Sequence, residues 1–146
     1  MFEDFEKILE HGEPDVNWSE VGIFSAVQVL EQFDVADWDK LRSHVLVADR
    51  KWRTLCIEAL SALGTAAALT FLFYILYRND GDTIQECLET IRVTVEFSDL
   101  DQEKKKRVTC LANAVSRNPR EYTEDDLSME KLPLIIDGNV DHRSEP

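Results

Sequence analysis

Apolar residues recur along this chain at the spacing of α-helices. Phe2, Phe5, Ile8 and Leu9 share one face of a first short helix, which Gly12 and Pro14 bring to a stop. Asn17 followed by Glu20 reads as a capping-box-like start to a second helix, with Ile23, Ala26, Val27, Leu30 and Phe33 facing inward. After a loop over 33–37, Asp37 is placed to cap a third helix whose stripe is Trp38, Leu41 and Val45.

The fourth helix carries the clearest pattern. Asp49 precedes Trp52, Leu55, Cys56, Ala59, Leu60 and Leu63, all on one face, and Gly64 stands where a left-handed C-terminal cap belongs. Thr65 then caps a fifth helix over 66–78 that is apolar nearly all round and so needs cover on most sides. Residues 78–82, RNDGD, form a turn. Asp82 and Gln85 start a sixth helix with Ile84, Cys87, Leu88, Ile91 and Val95 inward. Asp99 opens a seventh that buries Val108, Leu111, Ala112 and Val115 and ends before Pro119. Thr123 and Asp126 cap a further short turn. This is an all-α chain of seven or eight helices, one domain over 1–130, with an extended or disordered tail over 131–146. Within that tail, Leu132 to Ile136 is apolar enough to dock.

Residues 59–77 carry no charge, a length that approaches a membrane span. Gly64 divides the run, however, and the second half would extend only about 20 Å, short of a bilayer core. The pattern predicts buried helices and no contact with a membrane.

Charge changes the picture more than composition does. The chain of 146 residues has a formal net charge of −13, concentrated at one end: residues 1–39 hold eleven acidic side chains against the single Lys7. Residues 40–78 are net basic, and the remainder is acidic again. A field of this sign repels nucleic acid and anionic lipid and attracts basic partners. The odd number of cysteines, Cys56, Cys87 and Cys110, with no CxxC spacing, points to small buried hydrophobes in a reducing compartment. The acidic, amphipathic opening MFEDFEKILE is neither a secretory signal nor a transit peptide, so a cytoplasmic location is expected.

No catalytic constellation is legible. His11, His44 and His142 form no metal-binding spacing, and the five glycines are scattered singly rather than gathered in a phosphate loop. Asp80, Asp82 and Glu86 crowd a helix start, but the glycine of RNDGD comes too early for an EF-hand. Neither cofactor nor metal is expected, and the chain does not read as an enzyme. The basic run over 104–107, KKKR, lies among acidic residues and reads as a partly ion-paired face. Trp38 and Trp52 fall on inward stripes, which leaves Trp18 as the tryptophan free to be an exposed anchor.

The fourth and sixth helices superpose at an offset of 31 residues, placing Cys56 on Cys87, Leu60 on Ile91 and Asp49 on Asp80. Residues 49–64, DRKWRTLCIEALSALG, resemble the second helix of a HEAT-type repeat in Asp49, Trp52, Arg53, Ala59, Leu60 and Gly64. The second copy matches poorly, with Ile84 where that pattern has Arg, and the period is shorter than the ~40–47 residues of such repeats. The resemblance implies stacked antiparallel hairpins and protein binding. Small acidic HEAT-like chains are similar to immunity proteins that neutralise bacterial toxins, many of them basic nucleases. That implies binding of a cognate toxin through acidic residues at helix starts and turns: Glu20, Asp34, Asp37, Asp39, Asp80, Asp82, Glu86 and Glu89. A HEAT-like adaptor or scaffold for a basic partner in another assembly is the alternative, and a small metal-binding helical enzyme a third.

Overall fold

The computed structural model describes residues 1–12, 17–78 and 83–137. Among these residues there are eight α-helices and no strand: α1 (Phe2–Glu10), α2 (Ile23–Leu30), α3 (Val35–Val45), α4 (Arg50–Leu63), α5 (Ala66–Arg78), α6 (Ile84–Glu96), α7 (Gln102–Arg117) and α8 (Leu132–Asp137). The all-helical expectation holds.

Helix ends follow local chemistry where one polar residue is unambiguous. Asp49 sits in extended backbone and accepts the Trp52 N–H at 2.8 Å, and Gly64 ends α4 at φ +65°. Thr65 Oγ1 accepts from Ala68 N at 3.2 Å, starting α5 at once. Elsewhere the caps move. Asp34, not Asp37, precedes α3, and the two carboxylates cap each other's backbone N–H groups in a reciprocal box. Asp101, not Asp99, caps α7, accepting from Lys104 N. Thr123 and Asp126 exchange the expected pair of bonds.

Asn17 caps nothing. Its backbone is helical, and the chain passes through a single π turn, Trp18–Gly22, directly into α2. The Ile23 N–H bonds back five residues to the Trp18 carbonyl, and the wider turn rotates Trp18 inward. Trp18 is only 3% exposed, and its indole N–H donates to Glu58 Oε2 at 2.7 Å. It is a core residue rather than an exposed anchor. Gly22 makes room for it: a Cβ there would lie 2.6 Å from the Trp18 ring.

The centre of the fold is α4 with α5. Trp52, Leu55, Cys56, Ile57, Ala59 and Leu60 of α4 are buried, so its apolar face is broader than one stripe. α5 buries eight of its thirteen residues, including Thr70. α4 packs against α1, α2, α5 and α6, and α5 against α4, α6 and α7. A train of rings (Phe5, Phe33, Trp38, Phe71, Tyr74) carries the core from α1 across α3 to α5, with centroid separations between 5.1 and 5.7 Å.

The two helices related by the 31-residue offset, α4 and α6, are neighbours in space. Thr54 of α4 bonds Glu86 of α6, and two turns on, Ser61 bonds Thr94, so the helices run side by side in the same sense. α5 is the antiparallel element connecting them. The N-terminal half does not continue this pattern. Trp18, before α2, meets Glu58 late in α4, whereas Phe33, beyond α2, meets Phe5, which stands on Trp52 early in α4. α2 and α4 therefore run in opposite senses.

Two further expectations are corrected. The chain is helical over α8, not extended from residue 131: Leu132 and Ile136 are buried, Arg107 donates to the Ile136 carbonyl, and Lys104 pairs with Asp137 at 3.2 Å. Cys110 is exposed, because it lies two residues from Val108 and so off the stripe of Val108, Ala112 and Val115. Cys56 and Cys87 are buried as predicted. Among the described residues no helix is long and apolar enough to cross a membrane.

A candidate acidic binding surface

The N-terminal acidic excess becomes a surface once α1 and α2 are in place. α1 buries Phe2, Phe5 and Leu9, which turns Glu3, Asp4 and Glu10 outward. The π turn and α2 bury Trp18, Ala26 and Leu30, which turns Glu20 and Glu31 outward. Some of this charge is answered within the fold. Lys40 pairs with Glu3 at 3.0 Å; the backbone N–H of Glu3 itself, and then Lys40, hold the Glu3 carboxylate below the usual range. Arg42 pairs with Asp39 at 3.0 Å, and His44 stands 3.4 Å from Glu6. No cation stands within ion-pair distance of Asp4, Glu10, Glu20 or Glu31 among the described residues.

The predicted contact residues divide into three groups. Glu20 is exposed, and among the described residues no cation pairs with it. Asp34, Asp37 and Asp39 belong to α3. Asp37 is buried: one oxygen accepts from Asp34 N at 3.1 Å, the other from Phe2 N at 3.1 Å. These backbone donors, Asp34 first, hold its carboxyl below the ordinary carboxylate range against the opposing effect of burial. Asp34 is engaged in the same box. Asp37 is buried within the fold, Asp34 is exposed with one oxygen engaged in the box, and Asp39 is exposed and paired with Arg42.

Glu86 and Glu89 form the third group, on α6. Glu86 is half-buried and accepts from Thr54 Oγ1 at 3.2 Å, fixing α6 against α4. Glu89 is clamped by Arg92, which holds its carboxylate below the usual range. α3 packs on α1, whereas α6 packs on α4, α5 and α7, so the two groups reach the surface on different helices. Asp80 and Asp82 lie outside the described residues.

Sequence reasoning missed Phe24. It is 64% exposed, with Val21 beside it at 56%. The signal was present, since Phe24 falls outside the inward set Ile23, Ala26, Val27 and Leu30 and an aromatic on the polar side of a helix reads as exposed.

Other surfaces are built differently. A cleft of about 240 Å³ opens between the α4–α5 turn, the α6–α7 loop and α8, with Leu69, Leu100 and Leu132 among its walls. A second, of about 480 Å³, lies between Arg42, Tyr74, Tyr77 and the segment over 124–130. The Arg42 guanidinium stands over the Tyr74 ring at 5.3 Å. In the basic run, Lys104, Lys105 and Arg107 reach Asp137, the Glu96 carbonyl and Glu103 respectively, which makes most of it a brace between α6, α7 and α8. Among the described residues no group of three His, Cys, Asp or Glu side chains is placed to hold a metal ion.

No protein-family model matches the sequence, and no curated protein or solved structure is significantly similar to it.

Proposed function

We propose that this chain is a non-catalytic cytoplasmic binding protein that docks a basic protein partner and blocks it, as an immunity protein does to a bacterial toxin. A basic nuclease is the target class best matched to it. The reading rests on one observation above all: Asp4, Glu10, Glu20 and Glu31 stand on the outer faces of two packed helices, and among the described residues no cation pairs with them. Carboxylates so placed contribute little to the fold and raise the rate at which a positively charged partner arrives. A nuclease gathers cations to hold phosphates, so an acidic surface seated there competes with its substrate directly.

An adaptor in a larger assembly would use the same surface, and the parallel placement of α4 and α6 is the feature that favours it. Co-expression separates the two readings. A toxic protein encoded directly beside this chain should lose its toxicity when the chain is present and should bind it in purified form. Failure to protect against, or to bind, any such neighbour removes the immunity reading.

A further inference from the structure

We infer that the outer face of the helix running from the π turn through α2 is the docking stripe, with Phe24 as its anchor. Taking 100° per residue within α2, Phe24, Gln28 and Glu31 fall within one arc of about 60°, and Glu20 and Val21 of the preceding π turn are exposed as well. The core residues Ala26 and Leu30 lie opposite. Phe24 stands near the middle of that arc at 64% exposure, with Glu20 and Glu31 one turn before it and two turns after it.

A large ring left in water at the centre of a polar-rimmed helix face has the anatomy of an interface hot spot, in which an aromatic anchor enters a pocket and a polar border excludes water. The charge of the stripe decides what supplies the pocket. Residues 17–31 contain no Lys, Arg or His, so two copies of this chain meeting stripe to stripe would set carboxylate against carboxylate, and an anionic membrane or nucleic acid is repelled in the same way. The occupant is a protein surface with an apolar pocket for Phe24 and basic side chains around it.

The assignment rests on the proposed binding function, and the test keeps the two apart. The neighbour-encoded basic protein, in a catalytically inactive form, is titrated against the wild-type chain, Phe24→Ala, Glu20→Lys/Glu31→Lys, and Val47→Ala as a control. Val47 is 80% exposed and lies beyond α3, off the stripe. Phe24→Ala should weaken binding by about 30-fold or more with its melting temperature unchanged, and Val47→Ala should bind as wild type. The charge reversal should slow association, with the difference shrinking at high salt. Wild-type binding that Phe24→Ala leaves within about twofold overturns the stripe alone; no binding by the wild type overturns the function and the stripe together. A photo-crosslinking residue at position 24 should couple to the basic protein. Coupling to a second copy, or co-sedimentation of the chain with phosphatidylglycerol vesicles, overturns the assignment.

Discussion

Asp37 Oδ1 accepts a hydrogen bond from the backbone N–H of Phe2 at 3.1 Å, across 35 residues of chain. The bond ties the start of α1 to the first turn of α3, and the other oxygen of the same carboxylate closes the α3 capping box. One acidic side chain thus satisfies free donors of two helix N-termini, where a negative charge is also favoured by the helix dipole.

Because these donors hold the Asp37 carboxyl below its ordinary value, its contribution to stability has a definite pH window. It is fully present above the unfolded-state value near 4 and is lost as pH falls through the lower folded-state value. Asp37→Asn should therefore be less stable than wild type at pH 7, with the gap closing below about pH 4. Chemical denaturation of both proteins at a series of pH values checks this. An undiminished gap at pH 2 would show that lost shape, not lost charge, is responsible.

Charge reversal at different acidic sites should separate fold from binding. Asp34→Lys/Asp37→Lys removes both halves of the α3 capping box and should lower the melting temperature. Glu20→Lys/Glu31→Lys touches no bonded carboxylate and should leave it within about a degree or two, in keeping with the small effects of surface substitutions. Equal melting temperatures for the two doubles would contradict the division drawn between them.

Gly22 offers a test in which helix propensity and packing have opposite signs. Its backbone is ordinary helix, φ −60° and ψ −46°, so Ala would be favoured there by about 1 kcal/mol on propensity alone. The 2.6 Å approach of a Cβ to the Trp18 ring predicts the reverse. Gly22→Ala should destabilise the wild type, yet be neutral or stabilising in a Trp18→Leu background. Thermal unfolding of the four proteins in that cycle measures the coupling directly.

At Gly64 the cost lies in the backbone. The φ of +65° is left-handed, and the nearest atom to an added Cβ is 3.7 Å away, so space is not the obstacle. Gly64→Ala should cost about 1–2 kcal/mol, measurable as a shift in the denaturation midpoint.

The three thiols should divide sharply. Burial pushes the Cys87 thiol up to about 12 and raises Cys56 further, with the neighbouring Cys87 adding to it. Both stay protonated and unreactive in the folded protein. A thiol reagent at pH 8 should label Cys110 alone until denaturant is added. Labelling of Cys56 in the native state, mapped by mass spectrometry, would refute its placement in the core.

What the sequence made legible was local. Asp49, Gly64 and Thr65 act within four residues of themselves, and each does what its spacing predicts. Asp34 and Asp37, or Asp99 and Asp101, offer two carboxylates at similar distance from one helix start, and only packing chooses between them. Trp18 was misplaced for a different reason. A 3.6-residue count carried backwards from Ile23 puts it on the outer face, and the i→i+5 geometry of the π turn cancels that rotation. The acidic excess was plain in the sequence, but its division into bonded and free carboxylates depends on Phe2, Thr54 and Arg92, residues distant from one another along the chain.

The enclosure of α5 has a consequence for how such a chain changes over generations. Its buried side chains touch α4, α6 and α7, so the parts that keep the molecule folded are remote from the outer face of α2. Replacements at Phe24, Glu20 or Glu31 leave that interior untouched. On the proposed docking stripe, selection could therefore re-address the molecule to a new partner in single steps, each surviving because the foldedness of the chain is secured elsewhere.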